Sequence, residues 1–354
     1  MSKNDETIKT RPGDSASARG ARKQPTLKTI AALTGLAVPT VSRALGGASD
    51  ISATTRARVR AVADEIGYVP NRAGVRLRTG RTNVIALVLS TEHEVMNHTA
   101  KLISSVAAGL RETPFHLNIT PYFGDEDPMK PIRYIVETRS ADAVIFNQTR
   151  DEDPRVAYLR SVKFPFATHG RTKWSDEHAY YDYDNAAFGA LGVQELAKRG
   201  RKNILLVAPP TDQRYGKDMV DGSRTAGREY GVKVDILSGA SSDNAMQQTE
   251  AAIDAHIASG APVDGLICGS NSASIAAMSA VERAGMVLGD SVDLFSKEAI
   301  PILKRIRPSI LTVHEDVAET GRFLAKAAMS AVLSPNEPAL QFLEVPSHSS
   351  LTDY

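Results

Sequence analysis

From Asn83 onward the chain alternates short, uninterrupted apolar runs with longer amphipathic ones, a rhythm that few folds accommodate. "NVIALVLS" reads as a strand buried on both faces, and "TAKLISSVAAGLRET" after it as a helix. The pairing recurs. "HLNITPYF", "DAVIFNQ", "FPFATHG", "NILLVAPP", "VKVDIL", "GLICGS", "VDLFS" and "SILTVHE" are strand-like. "AFGALGVQELAKRG", "QQTEAAIDAHIASG" and "SASIAAMSAVERAG" are helical and lie between them. Strands apolar throughout belong to parallel sheets covered by helices on both faces. So many strands exceed one comfortable sheet, which implies two α/β lobes, each a doubly wound parallel sheet. Such folds bind small ligands in clefts outside the carboxyl ends of their strands.

The first 80 residues are different. They hold 14 basic and 6 acidic residues, a balance of +8, whereas the remainder holds 28 basic and 35 acidic, a balance of −7. A formal net charge of +1 over 354 residues conceals this division. A basic segment on an acidic body either approaches a polyanion or is a solvated tail. Residues 1–24 have almost no large apolar side chains and read as a disordered basic arm. Leu27, Ile30, Ala31 and Leu33 then fit a short helix that stops at Gly35. A second runs from about Pro39 to Leu45, with Val38 at its cap and Pro39 at its first position. A third covers about Thr54 to Ile66, capped by Ser52, with Val59, Val62, Ala63 and Ile66 on one face. Helix, tight turn, helix and a supporting third helix form a helix-turn-helix, whose second helix enters the DNA major groove.

Other classes find little support. No apolar run approaches the ~18 residues of a membrane span. The polar start lacks the apolar core of a secretory signal, so a cytoplasmic location is expected. One cysteine, Cys268, excludes an internal disulfide and argues against a thiolate-rich zinc site. There is no phosphate-binding glycine loop, no G-x-S-x-G and no H-E-x-x-H. A lone His169 reads as a binding or structural group rather than a base. No catalytic residue, cofactor or metal is expected.

The motifs "TVSRAL", Ser-x-x-Thr-Arg-x-x-Val from Ser52 to Val59, and "GYVPN" resemble the DNA-binding segment of the LacI/GalR family of bacterial transcription regulators. The two-lobed pattern behind them resembles that family's effector-binding core, so the likeness covers about residues 25–345. It implies an all-α helix-turn-helix head on a periplasmic-binding-protein-like α/β core. The boundaries expected are a helix-turn-helix domain at 25–70, a hinge helix at 71–81, a core at 82–345 and a tail at 347–354. The first lobe would take 82–182 plus 316–340, the second 183–315 plus 341–346.

The resemblance also implies roles. Thr40, Ser42 and Arg43 would lie on the recognition helix, where Arg43 can pair with a guanine or contact a phosphate. Val38 and Pro39 occupy base-reading positions, but both are apolar here. Asn71 and Arg72 would touch DNA from the hinge segment. Leu77 would wedge between central base pairs. Gly74 costs such a helix ~1 kcal/mol relative to alanine, so its ordering would depend on DNA. In the core, Thr91, Asn147, His169 and Arg171 would face the effector from the first lobe. Ser270, Asn271 and Lys297 would face it from the second. Met219 stands where relatives carry a sugar-binding arginine, and Lys297 where they carry an acid. Lys297 thus either meets an anionic ligand or pairs with Glu298, Glu315 or Asp316, while Asp182 and Asp184 read as crossover residues with local hydrogen bonds. "DPMKPIRYIVE", "DPRVAYL" and "HAYYDYDN" resemble a glycoside-associated subgroup. The function implied is a homodimeric repressor of carbohydrate uptake or catabolism genes. It would bind pseudo-palindromic operator DNA under control of a small carbohydrate-like effector. An activator of the same family, a sugar-binding transport protein and a sugar-modifying enzyme are the alternatives.

Overall fold

The computed structural model describes residues 24–69, 74, 76, 80–90, 98–123 and 125–346. It divides into two compact units, residues 1–80 and 81–354.

The first unit contains α1 (Leu27–Thr34), α2 (Val38–Leu45) and α3 (Ala53–Glu65). A reciprocal capping box opens α1: Thr29 N donates to Thr26 Oγ1 at 3.4 Å, and Thr26 N to Thr29 Oγ1 at 3.1 Å. Gly35 ends the helix at φ 67°, in the left-handed region that favours glycine. α2 begins one residue earlier than its sequence pattern suggests. Val41 N donates to Ala37 O at 3.0 Å, which makes Ala37 the cap and places Pro39 second rather than first. The proline fits there because the amides of the whole first turn lack helical partners. No side chain caps this helix. Ser52 caps α3 by accepting from Thr55 N at 3.2 Å. Ile30, Val41, Ala44, Val59 and Ala63 close the small core. The Ser52-to-Val59 motif therefore has a structural basis. Ser52 caps, Arg56 donates to Ala48 O at 3.0 Å and braces the turn before α3, and Val59 is buried.

In the second unit the chain runs through β1 (Val84–Ser90), α4 (His98–Gly109), β2 (His116–Tyr122), α5 (Met129–Thr138), β3 (Ala143–Phe146), α6 (Pro154–Ser161), β4 (Phe166–His169) and β5 (Ala179–Tyr183). It continues through α7 (Asn185–Lys198), β6 (Asn203–Val207), α8 (Arg214–Tyr230), β7 (Lys233–Ile236), α9 (Met246–Ala258), β8 (Gly265–Cys268), α10 (Asn271–Arg283), β9 (Asp293–Glu298), α11 (Leu303–Ile306) and β10 (Leu311–His314). It closes with α12 (Val317–Leu333) and β11 (Gln341–Glu344). The strands form two parallel sheets, ordered β11-β5-β4-β3-β1-β2 and β10-β9-β8-β6-β7. Strands β1, β3 and β8 are buried almost throughout, as their unbroken apolar runs predict. Cys268, on β8, is fully buried, and burial pushes its thiol up to about 12.

One boundary needs correction. The sequence pattern places residues 341–346 in the second lobe, but β11 pairs with β5, from Gln341 opposite Tyr180 to Glu344 opposite Tyr183. Its partners explain the placement. Tyr181 Oη donates to Glu344 Oε2 at 2.7 Å, and the Phe342 ring stacks on Tyr181 at 5.2 Å. Helix α12 covers the same sheet through Val317, Leu324, Ala325 and Ala328. The chain therefore passes between sheets twice, between β5 and α7 and between β10 and α12. Among the described residues, no helix is long and apolar enough to cross a membrane.

Candidate functional site

On α2, Val41 and Ala44 are buried while Pro39 and Arg43, four residues apart, are exposed. Val38, Thr40 and Ser42 are half-buried beside them. This outward face is one that a groove-reading helix requires. Arg43 pairs with the Asp50 carboxylate on the surface of the unit. Asn71, Arg72, Leu77 and Thr91 lie outside the described residues.

Both sheets of the second unit end at one cleft, whose cavity volume of about 90 Å³ is below the range of drug-sized sites. Asn147 follows β3, His169 ends β4, Ser270 and Asn271 follow β8, and Lys297 lies on β9; all five line the cleft. Each is held by its own element. Buried Arg155 donates to Asn147 O at 3.2 Å and Gln148 O at 2.8 Å, and Asp153 balances its charge at 2.7 Å. Gln148 takes φ 54°, so the turn that presents Asn147 is strained and held from below. Gly170, at φ 118°, lies where a Cβ would collide with Thr149 Oγ1. Ser270 caps α10, accepting from Ala273 N at 3.2 Å while donating to Ser242 O at 2.8 Å. Asn271 Nδ2 donates to Ile300 O at 3.0 Å, and Ala299 N donates to Asn271 Oδ1 at 3.2 Å.

Two sequence expectations change. Arg171 does not line the cleft. Its Nε donates to Asp182 Oδ2 at 2.7 Å, and its Nη2 lies 3.5 Å from Asp218. It positions Asp182, which was read as a crossover residue and does line the cleft. Burial pushes Asp182 up to about 6, against the opposing pull of Arg171. Met219 is fully buried in the second lobe's core, so it does not replace the missing sugar-binding arginine. Asp184 caps α7, accepting from Ala187 N at 3.0 Å, which bears out its reading as a local crossover group.

The crossovers bring residues to the cleft that sequence spacing did not reveal. Tyr183 and Asn185 flank the first, and Glu315 lies in the second. Lys297 Nζ lies 3.2 Å from Glu315 Oε2, donates to Asn185 Oδ1 at 3.1 Å and sits 4.9 Å from the Tyr183 ring centre. Lys297 thus lines the cleft and is ion-paired at the same time. Glu315 also faces His98, from the start of α4, and His169. Although burial opposes it, Lys297 and the two imidazoles hold Glu315 below the usual carboxylate range. Burial, and then His98, lower His169 to about 4, so its ring is neutral. On the other wall Tyr215 Oη donates to Asp243 Oδ2 at 2.5 Å, and Ser242 Oγ to Asp243 Oδ1 at 2.9 Å. Asn147 Oδ1 and Tyr183 Oη are buried without a hydrogen-bond partner among the described residues. Buried polar atoms are seldom left so, and both residues line the cleft.

Residues 26–71 match the family of bacterial regulatory proteins of the lacI type. Residues 84–320 match the family of periplasmic binding proteins and sugar binding domains of the LacI family. The HTH-type transcriptional regulator RafR of Escherichia coli is 37% identical over 213 residues, covering 60% of this chain and 63% of its own length. AglR of Rhizobium meliloti is 28% identical over 325 residues, 88% of this chain and 89% of that protein. The fold is shared with the lac repressor dimer bound to operator and the anti-inducer ONPF. That likeness has a TM-score of 0.77 at 17% identity and covers 92% of this chain and 97% of that one. It is shared too with a complex of CelR and cellobiose, at a TM-score of 0.67, 22% identity, 92% of this chain and 98% of that one. With the head and the two-lobed core both matched, this chain belongs to the LacI family of bacterial regulatory proteins.

Proposed function

We propose that the protein is a sequence-specific DNA-binding repressor of carbohydrate uptake or breakdown genes, controlled by a small carbohydrate-like molecule in the cleft. One observation carries this reading: a helix-turn-helix with an exposed Pro39–Arg43 face shares its chain with a polar cleft at converging strand ends. The relatives support it, since RafR and AglR are transcriptional regulators and the CelR structure holds cellobiose. Arg43 would supply the hydrogen bonds that apolar Val38 and Pro39 cannot, and Leu77 would act from the hinge. A homodimer fits a pseudo-palindromic operator, because protein symmetry mirrors half-site symmetry. The reading places the protein in the cytoplasm with the nucleoid, as a regulator without catalytic turnover. A neutral polyhydroxy effector fits the lining better than an anion. Asp182, Asp243 and Glu315 face the cleft, and the one lysine there is already matched by Glu315.

Two measurements test this. A thermal-shift screen of sugars and sugar acids on the full chain should yield a neutral sugar as the stabilising ligand, by mass action. Arg43→Ala should weaken operator binding about 5- to 150-fold, the ~1–3 kcal/mol of a guanine contact, and leave the sugar shift unchanged. Unchanged operator affinity would remove α2 as the reading helix. Turnover of the stabilising sugar would replace the regulator reading with an enzymatic one.

A further inference from the structure

The sequence suggests no metal site, yet three groups from distant parts of the chain converge at one end of the cleft. His98 opens α4, His169 ends β4 and Glu315 lies in the second crossover. Their ligand atoms all lie within 4.8 Å of one another. His98 Nε2 is 3.7 Å from Glu315 Oε1, and His169 Nε2 is 3.8 Å from the same oxygen. Both separations exceed a hydrogen bond, which for nitrogen and oxygen falls at about 2.7–3.2 Å. They are close to the spacing of ligands around one small ion. Bonds of ~2.0–2.2 Å in a tetrahedron put neighbouring ligand atoms about 3.4 Å apart. The side chains are 14%, 12% and 5% exposed, so the cluster is enclosed rather than a chance surface grouping. The two rings are parallel within 3°, with centres 5.6 Å apart, and their Nε2 atoms face one carboxylate oxygen.

We propose that His98, His169 and Glu315 form a site for a divalent transition-metal ion such as Zn²⁺ or Ni²⁺. Two imidazoles and a carboxylate suit such ions better than magnesium or calcium, which prefer oxygen ligands throughout. Three protein ligands leave a tetrahedral ion one position open, for water or a hydroxyl of a molecule in the cleft. Lys297 sets the strength of the site. Its ammonium binds the other oxygen of Glu315, Oε2, and so repels an ion on Oε1. The site is therefore weaker than its ligand set alone would make it, and removing that charge should tighten it.

The test uses the full chain, stripped with EDTA and free of sugar. ZnCl₂ and NiCl₂ are titrated against it by calorimetry and by competition with a chromophoric chelator. One ion per chain should bind at micromolar concentrations. His98→Gln and Glu315→Gln should each weaken it at least tenfold, while Lys297→Met should tighten it severalfold. Should Glu315→Gln fail to fold, His98→Gln and His169→Gln carry the same test without removing a buried charge. Melting of each variant in EDTA reports its fold. No uptake by the wild type overturns the proposal. So does uptake that these substitutions leave unchanged, which would mark adventitious binding elsewhere. Weaker or equal binding by Lys297→Met overturns the placement of the ion at Oε1. Since no sugar is present, failure here leaves the carbohydrate reading standing.

Discussion

Arg43 faces a choice between Asp50 and DNA. Both side chains of the pair are about half exposed, and surface pairs of this kind contribute only ~0–1 kcal/mol, so the arginine is released at little cost. The Asp50 carboxylate would then remain near the phosphates. Asp50→Asn is expected to tighten operator binding up to about fivefold, ~1 kcal/mol, as read by fluorescence anisotropy at fixed salt. A weaker complex would show instead that Asp50 orients Arg43. The exposed positions of α2 were legible because Pro39 and Arg43 sit one helical turn apart, opposite the apolar pair Val41 and Ala44. Arg171 was not. Its main acceptor, Asp182, lies on the neighbouring strand β5, and strand pairing is invisible to local spacing. His98 was hidden for the same reason, and Glu315 was legible only as a partner of Lys297: 217 positions apart, the two meet only because both sheets end at one cleft.

Helices α4 and α12 approach closely through glycine. A Cβ at Gly109 would lie 2.7 Å from Ala325 Cβ, and one at Gly321 would collide with Ser105 Oγ. Ser105 is itself fixed there, donating to Val317 O at 3.0 Å. Gly321→Ala, although it favours helix, should therefore destabilise by ~1–3 kcal/mol through overpacking. Calorimetry should show a lowered midpoint for the second unit; a raised one would mean the helices separate freely. The alternation of strands and helices was readable because buried parallel strands must be apolar along their whole length. Strand β11 was not assignable, because "QFLE" is short and half-exposed and carries no signal of its partner. The start of α2 shifted by one residue because proline tolerates the second position of a helix as well as the first.

At the scale of the second unit, two chain crossings and a few polar contacts join the lobes. Arg214 N donates to Thr149 O at 2.8 Å and its guanidinium pairs with Asp151, while Asp218, on the same helix, holds its Nε at 3.0 Å. Arg150 meets Asp212 at 3.0 Å, and Lys101 reaches Ala299 O at 2.9 Å. Partly exposed pairs of this kind add little stability, but they tie one lobe to the other. Arg214→Ala should lower the melting midpoint by only ~2–4 °C, the shift for about 1 kcal/mol in a domain of this size. Amide hydrogen exchange should nevertheless rise in residues 147–151 and 212–218, where the lobes meet. Unchanged exchange there would mean that the crossings alone hold the lobes together. The pairing of β11 with β5 bears on how the protein is made. The second lobe is one continuous stretch between the crossings, whereas the first is built from two separated stretches. During synthesis, domains fold as units as their chain emerges from the ribosome. The lobe whose translation starts first must therefore wait, with the β5 edge uncovered, until a later-made helix and strand arrive to complete it.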